Sequence, residues 1–305
     1  QENDLPLVQA AALAPRVHIL TKGEPLFARF VSAEVATHGA AVLAQMEENP
    51  PPDVEAYFRQ QFKQLDAQAE GELTWQILSL LSVTLGGITR EEIAEVLKTG
   101  NRPVRKAIGL IERFLLGAQK VELMHLQLRK VVVEEVGDRE RSLCRQQLIE
   151  WSQTYQQKGW LAATPDYILY YYAQHLANGE QWSALYKLID RRWMKLKVER
   201  TFSHRAFAMD VTLAISAAEQ SNNWVQLVRN CLISASLGEF ATNVPPAVLG
   251  VLAQLGQVER ALGYVALIQD RSQQSEAYCH IAEIVLGCGE LMEAKTLLDQ
   301  ALIVA

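Results

Sequence analysis

Apolar residues recur along most of this chain at steps of three and four, the period of a helix that turns one face to a core. In PLFARFVSAEVATHGAAVLAQMEE the residues Leu26, Phe27, Phe30, Val31, Val35 and Val42 keep that period, and Pro25 suits a first helical turn. The spacing predicts one long helix across the whole segment. Three prolines, Pro50 to Pro52, stop it, and Asp53 is placed to cap the next helix in VEAYFRQQFKQL. A domain boundary is therefore expected near residue 52.

Between Gly71 and Gly137 the pattern changes. GELTWQILSLLSVTLGG is an apolar helix ended by paired glycines, and ITREEIAEVLK opens with Thr89 three residues before Glu92, the spacing of a capping box. A third helix follows in RPVRKAIGLIERFLLG. Then Val121, Leu123 and His125 alternate with Glu122 and Met124, the period of a short strand. Three helices and a strand hairpin predict a winged-helix unit.

After Asp138 the helical period resumes in RERSLCRQQLIEWSQTYQQ, PDYILYYYAQHLA and EQWSALYKLID. From about residue 203 the helices come as hairpins. GQVERALGYVALI and GELMEAKTLLDQA align with Gly256 over Gly289 and Ala261 over Ala294, and upstream Val248, Leu249 and Leu252 fall over Ile281, Ala282 and Val285. A degraded third copy lies around NNWVQLVRNCLISA. This is a helical repeat of about the tetratricopeptide length, with glycine supplying the turn and alanine the close helix approach. The array reads as the start of a longer one, and such arrays offer binding surfaces more than chemistry.

Composition narrows the function classes. With 305 residues, 49% of them hydrophobic and 21% charged, the chain reads as globular and holds more than one core. Its apolar stretches are broken by charge well short of the roughly 18 to 20 residues that span a bilayer, so no membrane segment is expected. No basic and then apolar leader stands at QENDLPLVQ, and a cytoplasmic fragment is expected. Net charge is -6, against the electrostatics of a nucleic-acid binder. Cys144, Cys231, Cys279 and Cys288 lack the short paired spacing of a zinc site and read as reduced structural thiols.

Catalytic motifs are missing: no phosphate loop, no dinucleotide fingerprint, no HExxH and no GxSxG occurs. Catalysis by this chain alone is not expected. Among individual residues, His125 reads either as a ligand-binding group or as a histidine bonded to a carbonyl in a small core. His175 sits on an apolar helical face and reads as packing. Tyr170, Tyr171 and Tyr172 cover most of a helix circumference and read the same way. The basic cluster RRWMKLK reads as a solvated helix end.

The order of ILTKGEPLFARFVSAEVA, PPDVEAYFRQQFKQL, a winged-helix segment with LMHLQLRKVV, and YILYYYAQHLANGEQWSALYKLI resembles the region downstream of the nucleotide-binding core in signal-transduction ATPases with numerous domains, the NACHT and NB-ARC relatives. The resemblance covers roughly residues 10 to 200. It implies that Gly23 and Pro25 match the Gly-x-Pro turn whose proline lies beside adenine. It also implies that Met124 and His125 match the Met-His-Asp motif, whose histidine meets the β-phosphate of ADP and holds the closed state; Leu126 stands where the aspartate would be. The resulting expectation is a mainly all-α chain: 1–52, the end of a nucleotide-binding module; 53–137, a winged helix with a small β-hairpin; 138–202, a helical linker; 203–305, tetratricopeptide-like repeats.

As a function, the resemblance implies a regulatory portion: ADP or ATP bound by the intact protein, none held tightly by this chain alone, and an upstream nucleotide-binding domain as partner. The repeats would receive a protein or ligand, and the open state would form a homo-oligomer. Two rivals stand beside it. One is a winged-helix transcription regulator reading DNA with Arg102, Arg105, Lys106 and Arg113; the other is a plain helical-repeat adaptor.

Overall fold

Helices form wherever the three-and-four spacing runs, in a computed structural model that describes residues 7–65 and 68–305. Among the described residues there are seventeen α-helices and one three-stranded sheet, so the chain is mainly all-α. It divides into two compact units, Gln1–Cys144 and Arg145–Ala305. No described helix is long and apolar enough to cross a membrane.

The first unit begins with α1 (Leu7–Thr21), α2 (Pro25–His38) and α3 (Ala40–Glu48). The single long helix expected over the last two is therefore broken. Gly39 takes φ 81° between them, outside the helical basin, and the periodic apolar residues on either side gave no sign of it. Asp53 does cap α4 (Val54–Leu65): its Oδ1 accepts the Ala56 N–H at 2.7 Å. α2 and α4 meet through an aromatic cluster, in which Phe30 stands edge-on to Phe58 at 5.0 Å and Phe114 lies 5.5 Å from Phe30 and 5.6 Å from Phe62.

Phe114 belongs to the next run of elements: α5 (Gly71–Val83), β1 (Ile88–Thr89), α6 (Arg90–Val96), α7 (Asn101–Ile111), β2 (Leu115–Leu116) and β3 (Lys120–Leu123). Both strand pairs are antiparallel, in the order β1-β3-β2, with Ile88 opposite Val121 and Leu115 opposite Leu123. The capping box at α6 is formed in both directions: Thr89 Oγ1 accepts the Glu92 N–H at 3.1 Å, and Glu92 Oε2 accepts the Thr89 N–H at 2.7 Å. The β2–β3 turn depends on Gly117 at φ 88°, where a Cβ would fall 1.9 Å from the Lys120 carbonyl oxygen. Beyond the sheet runs α8 (Leu126–Gln157), interrupted by the extended, positive-φ backbone of Gly137.

The second unit is helical throughout: α9 (Asp166–Asn178), α10 (Trp182–Leu188), α11 (Arg191–Thr201), α12 (Arg205–Gln220), α13 (Trp224–Thr242), α14 (Pro246–Gln254), α15 (Val258–Val265), α16 (Arg271–Gly287) and α17 (Leu291–Val304). One device ends several of them. The N–H groups of Gln181, Asn223, Gln257 and Glu290 each reach back five residues to a carbonyl, at 2.8 to 3.2 Å, across a left-handed residue: Glu180, Asn222, Gly256 and Gly289. The two glycines of the aligned hairpins thus make equivalent turns, and Ala261 and Ala294 are both buried beside them. The upstream alignment is less regular. Leu249 and Ala282 are both buried, whereas Val248 is 47% exposed and its counterpart Ile281 is fully covered. α16 packs against both α14 and α15 and so has more of its circumference enclosed.

Candidate functional site

Gly23 and Pro25 form the hinge between α1 and α2. The Gly23 N–H donates to the His18 carbonyl at 3.1 Å, five residues back, with Lys22 at φ 52° and Gly23 at φ 75°. A Cβ on Gly23 would also approach His18 Cε1 to 3.0 Å, so the turn has two reasons to keep glycine. Glu24 flanks the helix and Pro25 is its first residue, where a missing N–H costs nothing. Both Gly23 and Pro25 are exposed.

His125 corrects two expectations. The strand ends at Leu123, so His125 does not alternate within it, and it is exposed rather than set in a core. It stands instead at the start of α8: its carbonyl accepts the Arg129 N–H at 2.9 Å, and its Nδ1 accepts the Gln127 N–H at 3.2 Å. The imidazole therefore caps the helix in the way Asn or Asp commonly does. Capping needs Nδ1 unprotonated, which leaves the proton of the neutral ring on Nε2 as an outward donor. A donor beside the positive end of a helix fits an anionic oxygen such as that of a phosphate. The strand before it is anchored by the Met124 N–H to the Phe114 carbonyl at 3.0 Å, and the helix after it by Arg129 Nη1 to the Thr84 carbonyl at 3.1 Å.

Gly23, Pro25 and His125 lie in the same compact unit, yet among the described residues no hydrogen bond, ion pair or ring contact joins the α1–α2 turn to His125. What the unit does bring together is a set of polar groups that the sequence reading passed over. Glu34, 8% exposed, pairs with Arg113, while Tyr57 Oη donates to Glu34 Oε1 at 3.3 Å and His38 Nδ1 lies 3.5 Å from Oε2. Arg113 also donates to Gln61 Oε1, and its guanidinium sits 4.8 Å above the Phe114 ring. Burial, reinforced by the Glu34 carboxylate, pushes the Tyr57 phenol well above its ordinary range. Glu34, His38, Gln61 and Arg113 edge a cleft of about 880 Å³ between α2, α3, α4 and α7.

The second unit holds its own buried polar groups. Lys197 and Asp210, 2% and 4% exposed, face each other at 2.5 Å, and Trp193 Nε1 donates to the same Asp210 oxygen at 2.7 Å. Burial pushes the Lys197 pKa down and the Asp210 pKa up; the opposite charge of each partner works against both shifts. His175 is also buried, 2.8 Å from the Tyr167 hydroxyl, and burial lowers its pKa to about 4, with Arg145 adding to the shift. All four cysteines are free, and burial raises the Cys144 thiol to about 11. Among the described residues no three His, Cys, Asp or Glu side chains converge as a metal site requires. Comparison with protein-family models, curated proteins and solved structures found no match.

The signals for the missed groups were present but faint. Glu34 falls at the seventh step after Phe27 in the row Phe27, Phe30, Val31, Glu34, Val35, a charged residue in a core stripe. Lys197 belongs to RRWMKLK, whose reading as a solvated end holds for Arg191, Arg192 and Lys195 but fails for Trp193, Leu196 and Lys197, all buried. Of the tyrosine run, Tyr172 is buried and Tyr170 is 55% exposed.

Proposed function

We propose that this chain is the regulatory portion of a signal-transduction ATPase of the NACHT and NB-ARC kind, in which a winged helix helps to clamp ADP and tetratricopeptide-like repeats receive a protein or ligand. One observation carries the reading. The α5-β1-α6-α7-β2-β3 order with β1-β3-β2 pairing supports the winged-helix reading, and it leads directly into an exposed histidine at the head of a long helix. In such a protein His125 would offer Nε2–H to a phosphate oxygen, and the rigid Gly23–Pro25 turn would lie beside the base. Phosphate oxygens are what the nucleotide supplies. The protein's part is to hold a donor in place before binding, as the Nδ1 cap does by fixing the ring.

Glu34 and Arg113 support the same reading. The pair ties α2, whose first residue is Pro25, to the segment that leads into β2, so the two candidate contacts belong to one body. A ligand that meets both favours the arrangement in which both are in reach, and a signal on the repeats acts by favouring another. The transcription-regulator rival keeps Arg102 and Arg105 on α7, both exposed and without an ion pair among the described residues. Its other two cations are engaged within the chain, Lys106 with Glu70 at 3.2 Å and Arg113 with Glu34. The net charge of -6 counts against it as well.

The direct test is the coding sequence upstream of Gln1. A phosphate loop of the form GxxxxGK[ST] within about 200 residues, the size of one domain, is the expected result. An upstream region without one would overturn the proposal.

A further inference from the structure

The cleft walled by α2, α3, α4 and α7 holds two buried polar groups whose hydrogen-bonding capacity the fold does not exhaust. Gln61 is 6% exposed, and its Oε1 accepts from Arg113, a side chain that can only donate. That contact orients the amide. Its NH2 group has no hydrogen-bond partner among the described residues, although Gln61 lines the cleft. Glu34 is 8% exposed; its Oε1 accepts from both Tyr57 and Arg113, whereas Oε2 meets only His38, at 3.5 Å. One donor and one acceptor, each taken largely out of water, are thus open to the same cavity, and a ligand that pairs both recovers the desolvation they cost.

The remaining walls restrict what that ligand is. Val42, Met46 and Leu110 are half-buried around the cavity and offer it apolar surface. Its ionised groups are Glu34 and Glu112 against Arg113 alone, a balance that disfavours an anion. A volume of about 880 Å³ falls in the range of small-molecule sites. An amide edge supplies what is missing without charge, its N–H donating to Glu34 and its C=O accepting from Gln61. We propose that this cleft binds a small uncharged molecule carrying such an edge, a lactam ring or a primary carboxamide. The site is separate from the nucleotide reading: about 14 Å of helix lies between Pro25, which opens α2, and Glu34. Either can fail without the other.

Titration of the 305-residue chain with uridine and with nicotinamide, followed by NMR, tests this; the first carries a lactam edge and the second a primary carboxamide. The expected result is binding of at least one with Kd on the order of 0.1–1 mM, accompanied by a shift of the Gln61 side-chain NH2 resonances, and which of the two binds tells the ring from the open amide. Gln61→Met should weaken that probe about five- to tenfold. Because Gln61→Met also removes the Arg113 contact, a second variant is read beside it. Gly109 lines the cleft from an exposed position on α7 where a Cβ would meet nothing within 4 Å, so Gly109→Phe fills the space without disturbing the core and should weaken binding about tenfold or more at an undiminished melting temperature. Uridine 5′-monophosphate should bind no tighter than uridine. Failure of both probes to bind at about 10 mM overturns the proposal, as does binding indifferent to Gly109→Phe. A monophosphate held about tenfold tighter than uridine would make the cleft an anion site and overturn it equally.

Discussion

Replacing Asp210 by asparagine should strip Lys197 of its counter-charge while changing little else. The amide is nearly isosteric, and its oxygen still accepts the Trp193 indole N–H now bonded at 2.7 Å. Lys197 would be left with the Ala206 carbonyl at 3.1 Å and the Trp193 ring at 5.1 Å, neither of which neutralises a buried ammonium. Breaking a buried pair in this way costs about 3–5 kcal/mol, because the remaining charge is desolvated and uncompensated. In a unit of this size each kcal/mol moves the melting temperature by roughly 2–4 °C, so the transition of Arg145–Ala305 should fall by about 6–20 °C. The second half of the test is recovery. Lys197→Met in the Asp210→Asn background removes the stranded charge, keeps the aliphatic stem against Trp193, and should return most of the loss. Calorimetry of wild type, single and double variants reads both steps. A single variant that melts within about 3 °C of wild type, or a double variant no better than the single, would refute the reasoning.

Acid should destabilise the second unit through His175. Its folded pKa of about 4 lies below the ordinary 6.5, so the stability it contributes is complete above pH 6.5 and is lost as pH falls from there through about 4. At 1.36 kcal/mol per pKa unit the loss approaches about 3 kcal/mol, and urea midpoints between pH 7 and 4 should slope less in His175→Gln than in wild type; equal slopes reject the assignment. Ala261→Leu and Ala294→Leu, at buried positions beside the hairpin turns, should each cost about 1–3 kcal/mol by overpacking, read as lower melting temperatures. Unchanged melting for both would mean that the repeat register is wrong.

Much of the fold could be read from short-range chemistry. Asp53, the Thr89–Glu92 box and the Gly256 and Gly289 turns act within a few residues of themselves, and the structure has each where the spacing put it. Where partners lie far apart in sequence the reading failed. Glu34 meets Arg113 across 79 residues, and nothing local to either marks the other. Lys197 looked solvated because Asp210 comes from the next helix. β1 was missed because two residues leave no period to detect, and His125 was drawn into the strand because the alternation of its neighbours runs two residues past the strand's end at Leu123. The break at Gly39 shows the converse: a single positive-φ residue divides a helix whose apolar pattern is continuous. The proposed site is legible only as three exposed residues in one unit, since what they would bind is not part of that unit.

His125 offers the sharpest test of the central claim, because its two roles separate by chemistry. Asparagine keeps the cap, its side-chain oxygen accepting the Gln127 N–H as Nδ1 does, but it lacks the reach of Nε2. Alanine loses both. The measurement is ADP affinity by titration calorimetry of the intact protein, including the nucleotide-binding domain proposed to lie upstream, in wild type and His125→Asn, with melting temperature recorded alongside. A hydrogen bond to a charged group contributes about 1.5–3 kcal/mol, so His125→Asn should bind ADP roughly tenfold to a hundredfold more weakly at an unchanged melting temperature. ADP affinity equal to wild type in His125→Asn, with only His125→Ala losing stability, would leave His125 as a helix cap and contradict the account.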